Sequence, residues 1–205
     1  MKALPRKLLP LTLFAIAVTS LFCVRPAQAY TVTLHQVGSN VVGTGSGPIN
    51  LTGLTFQGST FGTITGIRAN TGSIGTGPLA QLNFDFYTGF TGPTSFGSGA
   101  SFLPNTGSGD FVGIFGLAGQ IFVPQGYVSG HALTDSMTFN NATFASLGVT
   151  PGTYVWSWGG GANQNIMLQI GAVPDGGTTV SLLGCALLGL AALRRKLPLL
   201  RGRKS

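Results

Sequence analysis

The sequence predicts an all-β domain, a sandwich or jelly roll, set between two terminal segments of different character. Three observations carry that expectation. In the centre of the chain apolar side chains recur with a period of two rather than 3.6. The short runs they form are separated by Gly, Pro and Asn, and no helical pattern of useful length intervenes. Residues 30–173 also hold 12 of the 14 Phe and both Trp, which is core-forming area that disordered segments lack. The same stretch contains 28 Gly, read here as turns and strand kinks within a folded domain.

The first 29 residues read as a secretory signal peptide. Lys2, Arg6 and Lys7 form a positive start, residues 8–24 an apolar stretch, and Ala27 and Ala29 put small side chains at positions −3 and −1 of a cleavage site. Signal peptidase is the implied partner, cutting after Ala29. Bulky Phe22 before Cys23 argues against a lipoprotein signal.

The exported domain is expected over residues 30–172. Tyr30, Val32 and Leu34 share one strand face, with Thr31 and Thr33 on the other. Further on, Ala80, Leu82, Phe84 and Phe86 point one way, with Gln81, Asn83, Asp85 and Tyr87 opposite. Residues 111–123 read as a strand, and Asn140 and Asn141 introduce a single turn over 142–147. Tyr154, Trp156 and Trp158 alternate with Val155 and Ser157. Gly159, Gly160 and Gly161 then turn the chain into a partner strand whose Ile166, Leu168 and Ile170 share a face. The glycine stretches 43–48 and 75–78 read as turn chemistry.

Charge excludes whole classes of function. The formal +7 of the chain belongs to its ends. Residues 30–173 carry Arg68 against Asp85, Asp110 and Asp135, a net −2. Nucleic-acid binding needs clustered cations to neutralise phosphates, so it is not expected. Both cysteines, Cys23 and Cys185, lie outside the domain, which removes disulfides, thiolate nucleophiles and Cys-ligated zinc. Ser129, His131 and Asp135 are the only grouping from which a hydrolase triad can be imagined, and no Gly-x-Ser-x-Gly elbow accompanies them. His35 is phased outward with the strand threonines. An isolated Asp110 after a Gly/Ser turn lacks the several carboxylates of a calcium site. No catalytic residue, metal or cofactor is expected. Asn50 and Asn141 head formal glycosylation sequons, read as incidental. Tyr154, Trp156 and Trp158 are the candidate surface feature: facing outward they form a platform for glycan stacking, facing inward they are core. The hairpin with 166–170 favours core.

The C-terminal end is organised as a motif, an apolar segment and a basic cluster. Val173, Pro174, Asp175, Gly176 and Gly177 are turn-prone. Residues 178–193 are uncharged, and Arg194, Arg195 and Lys196 follow, with a basic cytoplasmic tail over 197–205. A helix of 16 residues spans about 24 Å, somewhat less than a ~30 Å hydrocarbon core. The cationic cluster acts as a stop on the cytoplasmic side. In this order the three parts resemble the PEP-CTERM class of bacterial sorting signals, and the motif is similar to its VPDSG variant with Gly176 in place of Ser. The resemblance implies recognition of residues 173–177 by an exosortase, a multi-pass membrane enzyme thought to act as a cysteine transpeptidase, and retention by residues 194–196. Segments 103–112, 119–127 and 147–154 are also similar to stretches of secreted proteins carrying such tails.

Two local matches fail on context. Leu103, Pro104, Asn105, Thr106 and Gly107 spell a sortase motif but precede no adjacent anchor helix. Leu182, Leu183, Gly184 and Cys185 imitate a lipobox at the wrong end of the chain. The sequence thus points to a non-enzymatic bacterial surface or extracellular-matrix protein of structural or adhesive type. It is exported across the inner membrane, held there transiently by the C-terminal helix and then processed. Weakly charged strand edges favour self-association. The alternative is a module binding matrix exopolysaccharide.

Overall fold

The structure, a computed structural model, describes residues 29–161 and 163–171. The chain divides into two units after Gly171, and the described residues belong to the first. The expected signal segment before Ala29, the sorting motif, the membrane helix and the basic cluster fall outside them. Among the described residues no helix is long and apolar enough to cross a membrane.

Twelve strands make up the described domain. In chain order they are β1 (Tyr30–Val37), β2 (Asn40–Pro48), β3 (Thr55–Gly62), β4 (Gly66–Arg68), β5 (Ser73–Thr76), β6 (Leu82–Thr88), β7 (Thr106–Gly109), β8 (Val112–Phe115), β9 (Gln120–Pro124), β10 (Ala132–Phe139), β11 (Gly152–Ser157) and β12 (Asn165–Ile170). They form two six-stranded sheets, β11-β12-β1-β2-β10-β7 and β3-β6-β9-β8-β5-β4. The main core lies between them. Tyr30, Val32, Leu34, Ile166 and Leu168 of the first sheet meet Ile67, Ile74, Ile114, Ile121 and Val123 of the second. The period-two alternation of β1 and β12 is therefore real, and the chain is all-β in two sheets as expected. Alternation carries no strand direction, however, and β1 runs parallel to β12, with Tyr30 opposite Ile166 and Leu34 opposite Ile170.

Two local expectations are corrected. The glycine stretches 43–48 and 75–78 are not simple turns, because Gly43, Gly45 and Gly75 sit inside β2 and β5. They are there for space. A Cβ on Gly43 would lie 2.9 Å from both Leu34 and Met137, and one on Gly45 would collide with the Tyr30 hydroxyl and the Asp135 carboxylate. Glycine in a strand interior here marks close approach rather than a break.

The alternation expected for β6 is present, and its apolar row faces away from the first sheet. Asp85 and Tyr87 pair with Val123 and Ile121, which point into the main core, and directly opposite residues share a face. Phe84 and Phe86 lie on the far face, in a second cluster with Phe111, Phe122 and Phe115, covered by Ile64. Gly113 makes room for this cover, since a Cβ there would meet the Ile64 side chain. This sheet is apolar on both faces, so hydrophobicity alone cannot say which is inner. The second correction is that residues 111–123 are two strands, β8 and β9, joined by a tight turn in which Gly119 N–H donates to the Gly116 carbonyl at 3.3 Å. The single turn over 142–147 forms as expected, with Leu147 N–H donating to the Thr143 carbonyl at 3.0 Å.

Candidate functional site

The aromatic line on β11 is core rather than a binding platform. β11 pairs antiparallel with β12, setting Trp156 opposite Ile166 and Tyr154 opposite Leu168. Trp156 is 0% and Trp158 3% exposed. Each indole N–H is spent on a backbone carbonyl, Trp156 on Pro93 at 2.7 Å and Trp158 on Asn50 at 2.8 Å. Phe96 packs edge-on against Trp156, with ring centroids 6.4 Å apart, and tilted against Tyr154 at 5.8 Å. Gly92 presses so closely on the Trp156 ring that its Cα leaves no room for a side chain. Stacking needs an accessible ring face, so the outward reading of Tyr154, Trp156 and Trp158 is overturned. The loop from Thr91 to Phe96 covers Tyr154 and Trp156, and Asn50 and Gly53 lie against Trp158; no periodicity in the strand itself reveals such a cover.

Ser129, His131 and Asp135 are not brought into a triad. Ser129 Oγ accepts the Leu51 N–H at 2.9 Å. His131 is exposed, and its backbone carbonyl accepts the Tyr127 hydroxyl at 2.6 Å. Asp135 points the other way, into the core, where its Oδ2 accepts the hydroxyl of the fully buried Tyr30. The Tyr30 oxygen also lies 3.0 Å from Thr76 Oγ1, which bonds the Val112 carbonyl at 3.3 Å. β1 and β10 of one sheet are thereby tied to β5 and β8 of the other through a chain of buried hydrogen bonds. Asp135 Oδ1 has no hydrogen-bond partner among the described residues. Burial raises the Asp135 pKa from 3.8 to about 6, against the opposing pull of the Tyr30 hydrogen bond. Tyr30 itself is pushed well above 10, first by burial and then by the Asp135 charge. This cluster was not anticipated. The signal available was Tyr30, whose ring alternates with Val32 and Leu34 as core while its hydroxyl requires a partner.

A groove of about 200 Å³ opens on the far face of the second sheet. Arg68, Ser73 and Phe115 are successive cross-strand partners on β4, β5 and β8, so they lie in one row along its floor. One wall is the connection 63–65. The other is Ser101, Phe102 and Leu103, fastened to β4 by paired 2.9 Å bonds between Ile67 and Phe102. Arg68 is the only Lys or Arg among the described residues, and its Nε is 3.4 Å from Ser101 Oγ. The domain's carboxylates are engaged elsewhere. Asp85 takes the Ser59 hydroxyl at 2.5 Å and Gly126 N–H at 2.9 Å, Asp110 takes Thr134 N–H at 2.8 Å, and Asp135 takes Tyr30. Asp110 is thus a turn residue that fixes the start of β10.

The family described as the VPDSG-CTERM motif matches residues 172–197. The match covers Val173 to Gly177, the uncharged segment and Arg194 to Lys196 as one unit, and it is a sorting signal of the PEP-CTERM-like kind. No curated protein and no solved structure matches the chain.

Proposed function

We propose that this chain is a non-enzymatic, self-associating protein of the bacterial surface or extracellular matrix, structural or adhesive in role. The sorting signal at 172–197 supports export and processing by an enzyme of the exosortase type. In this reading signal peptidase cuts after Ala29, the segment 178–193 holds the protein transiently in the membrane, and the second cut falls within 173–177. The observation that carries the structural role is the edge of the second sheet. β3 is eight residues long, holds no charged side chain and, among the described residues, is hydrogen-bonded on one side only, to β6. Soluble proteins ordinarily guard such an edge with Lys, Pro or a covering segment. The test is sedimentation velocity of the processed protein over a concentration series, with a concentration-dependent rise in sedimentation coefficient expected. A single monomer boundary at every concentration removes the self-association.

A second reading, binding of matrix exopolysaccharide, is favoured by the Arg68 groove rather than by the buried tryptophans. A guanidinium with no carboxylate partner among the described residues suits a sugar carboxylate, and Ser101 and Phe115 offer hydroxyl and apolar contacts beside it. Ligand-observed NMR with an oligouronate and its methyl ester is the test. Binding of the acid that is lost in Arg68→Gln supports this reading, and equal binding of acid and ester sinks it.

A further inference from the structure

The β3 edge is complementary to itself, and only through an irregularity in its pairing. In a regular strand Phe56 and Phe61, five residues apart, point to opposite faces. A bulge shifts the β3–β6 register between Phe56 and Gly58, so that Phe56 pairs with Tyr87, Ser59 with Asp85 and Phe61 with Asn83. Those three partners alternate along β6 on one face, and therefore Phe56, Ser59 and Phe61 share a face as well. The Phe56 ring lies 5.4 Å from that of Tyr87, and Ser59 Oγ bonds Asp85. Phe56 is 55% and Phe61 62% exposed, the two aromatic rings among the large hydrophobic side chains left in solvent.

An antiparallel second copy laid on this edge with Ser59 opposite Ser59 sets Gly58 against Thr60, Phe56 against Phe61 and Thr55 against Gly62. All of these pairs occur twice, related by a two-fold axis through Ser59. A register centred on Phe56 or on Phe61 pairs only that phenylalanine, with its own copy, whereas the register centred on Ser59 pairs both. The bulged Gln57 then opposes the second copy as it opposes β6, two residues to one.

The other three edges are less suitable. β4 is three residues long and carries Phe102 across it, β7 is four residues long, and β11 is bonded at Ser157 to Thr91 by 2.8 and 2.9 Å backbone bonds. Like-charge repulsion does not oppose the contact, because neither strand carries a charge.

We propose that two copies of this protein associate through β3, antiparallel about Ser59, joining their second sheets into one continuous sheet. The inference rests on the self-associating reading above and names its contact. A single strand edge buries less area than a standard interface, so the association is weak and transient, with a dissociation constant in about the micromolar to millimolar range.

The register is tested by disulfide trapping in the processed protein, whose exported domain has no native cysteine. In the paired register the two Ser59 Cα atoms lie about 4.5–5.5 Å apart, within disulfide range. Ser59→Cys is therefore expected to give a covalent dimer under mild oxidation. Thr55→Cys, on the same edge but about 20 Å from its own copy in this register, is expected to stay monomeric. Phe61→Lys leaves a surface position and is expected to lower association of the wild-type background at least tenfold by sedimentation. Concentration-dependent association of the wild type without Ser59→Cys trapping, or with equal trapping of Thr55→Cys, overturns the β3 contact while self-association stands. Association unchanged by Phe61→Lys also overturns it. A wild type that is monomeric throughout overturns both.

Discussion

Asp135 makes the domain more stable in mild acid than at neutral pH. Its carboxylate is buried, 6% exposed, and faces Tyr30 from β1, Gly45 from β2 and Thr76 from β5, with Asp110 the nearest further charge. Burial raises its pKa from 3.8 to about 6, so the folded state holds the proton more tightly than the unfolded chain does. The stabilisation from this group is complete below pH 3.8 and is lost as pH rises through 6. A shift of about two units corresponds to about 3 kcal/mol over the full range, most of which falls between pH 4 and pH 8. For a domain of this size that is about 10 °C in Tm. Differential scanning calorimetry of the exported form at constant ionic strength reads it directly. Tm is expected to fall from pH 4 to pH 8, and Asp135→Asn, which cannot ionise, is expected to flatten that slope. A wild-type Tm that is level or rising over this interval refutes the buried, charge-penalised carboxylate.

Other outcomes follow from the same packing. Gly45→Ala forces a methyl group into the Tyr30–Asp135 contact and is expected to cost about 1–3 kcal/mol in denaturant unfolding, whereas Gly160→Ala, with nothing within 4 Å of its Cβ, is expected to be near neutral. Trp156→Phe removes the 2.7 Å bond to Pro93 and orphans that carbonyl, a loss of about 1–3 kcal/mol. Acrylamide is expected to quench the native tryptophan fluorescence weakly, and efficient quenching contradicts the burial of both indoles. Changing Pro174 and Asp175 to alanine is expected to abolish the mature surface form while precursor accumulates, read by immunoblot of cell fractions.

What the sequence revealed of the fold depended on whether side chains marked the faces of a strand. β1, β11 and β12 set large apolar residues at alternate positions, and their buried faces and the β11–β12 hairpin follow directly. β2 places Gly43 and Gly45 where core side chains are expected, because Tyr30, Leu34 and Met137 fill that space from neighbouring strands. In β5 Ile74 is the one large apolar side chain on the inner face, and Gly75 on the far face lies under Ile64. Strands with glycine at such positions have no hydrophobic period to read. In β6 the period was legible but the sense was not, since both faces of that strand are covered. The tryptophans were legible as core only through their hairpin partner; the segments that seal them are specified by tertiary contacts. Asp135 and Arg68 illustrate the limit for sites. A carboxylate 105 residues from its tyrosine partner, or a guanidinium left over after the described carboxylates are engaged, becomes visible only when the strands are assembled. The sorting signal is the opposite case: its three parts are consecutive, so spacing alone displays it.

The most direct measurement is the C-terminus of the protein recovered from the cell surface, by mass spectrometry of its terminal peptide. Processing at the sorting signal gives a terminus within Asp175 to Gly177, with the uncharged segment and the basic cluster removed. Recovery of surface protein ending at Ser205 contradicts it.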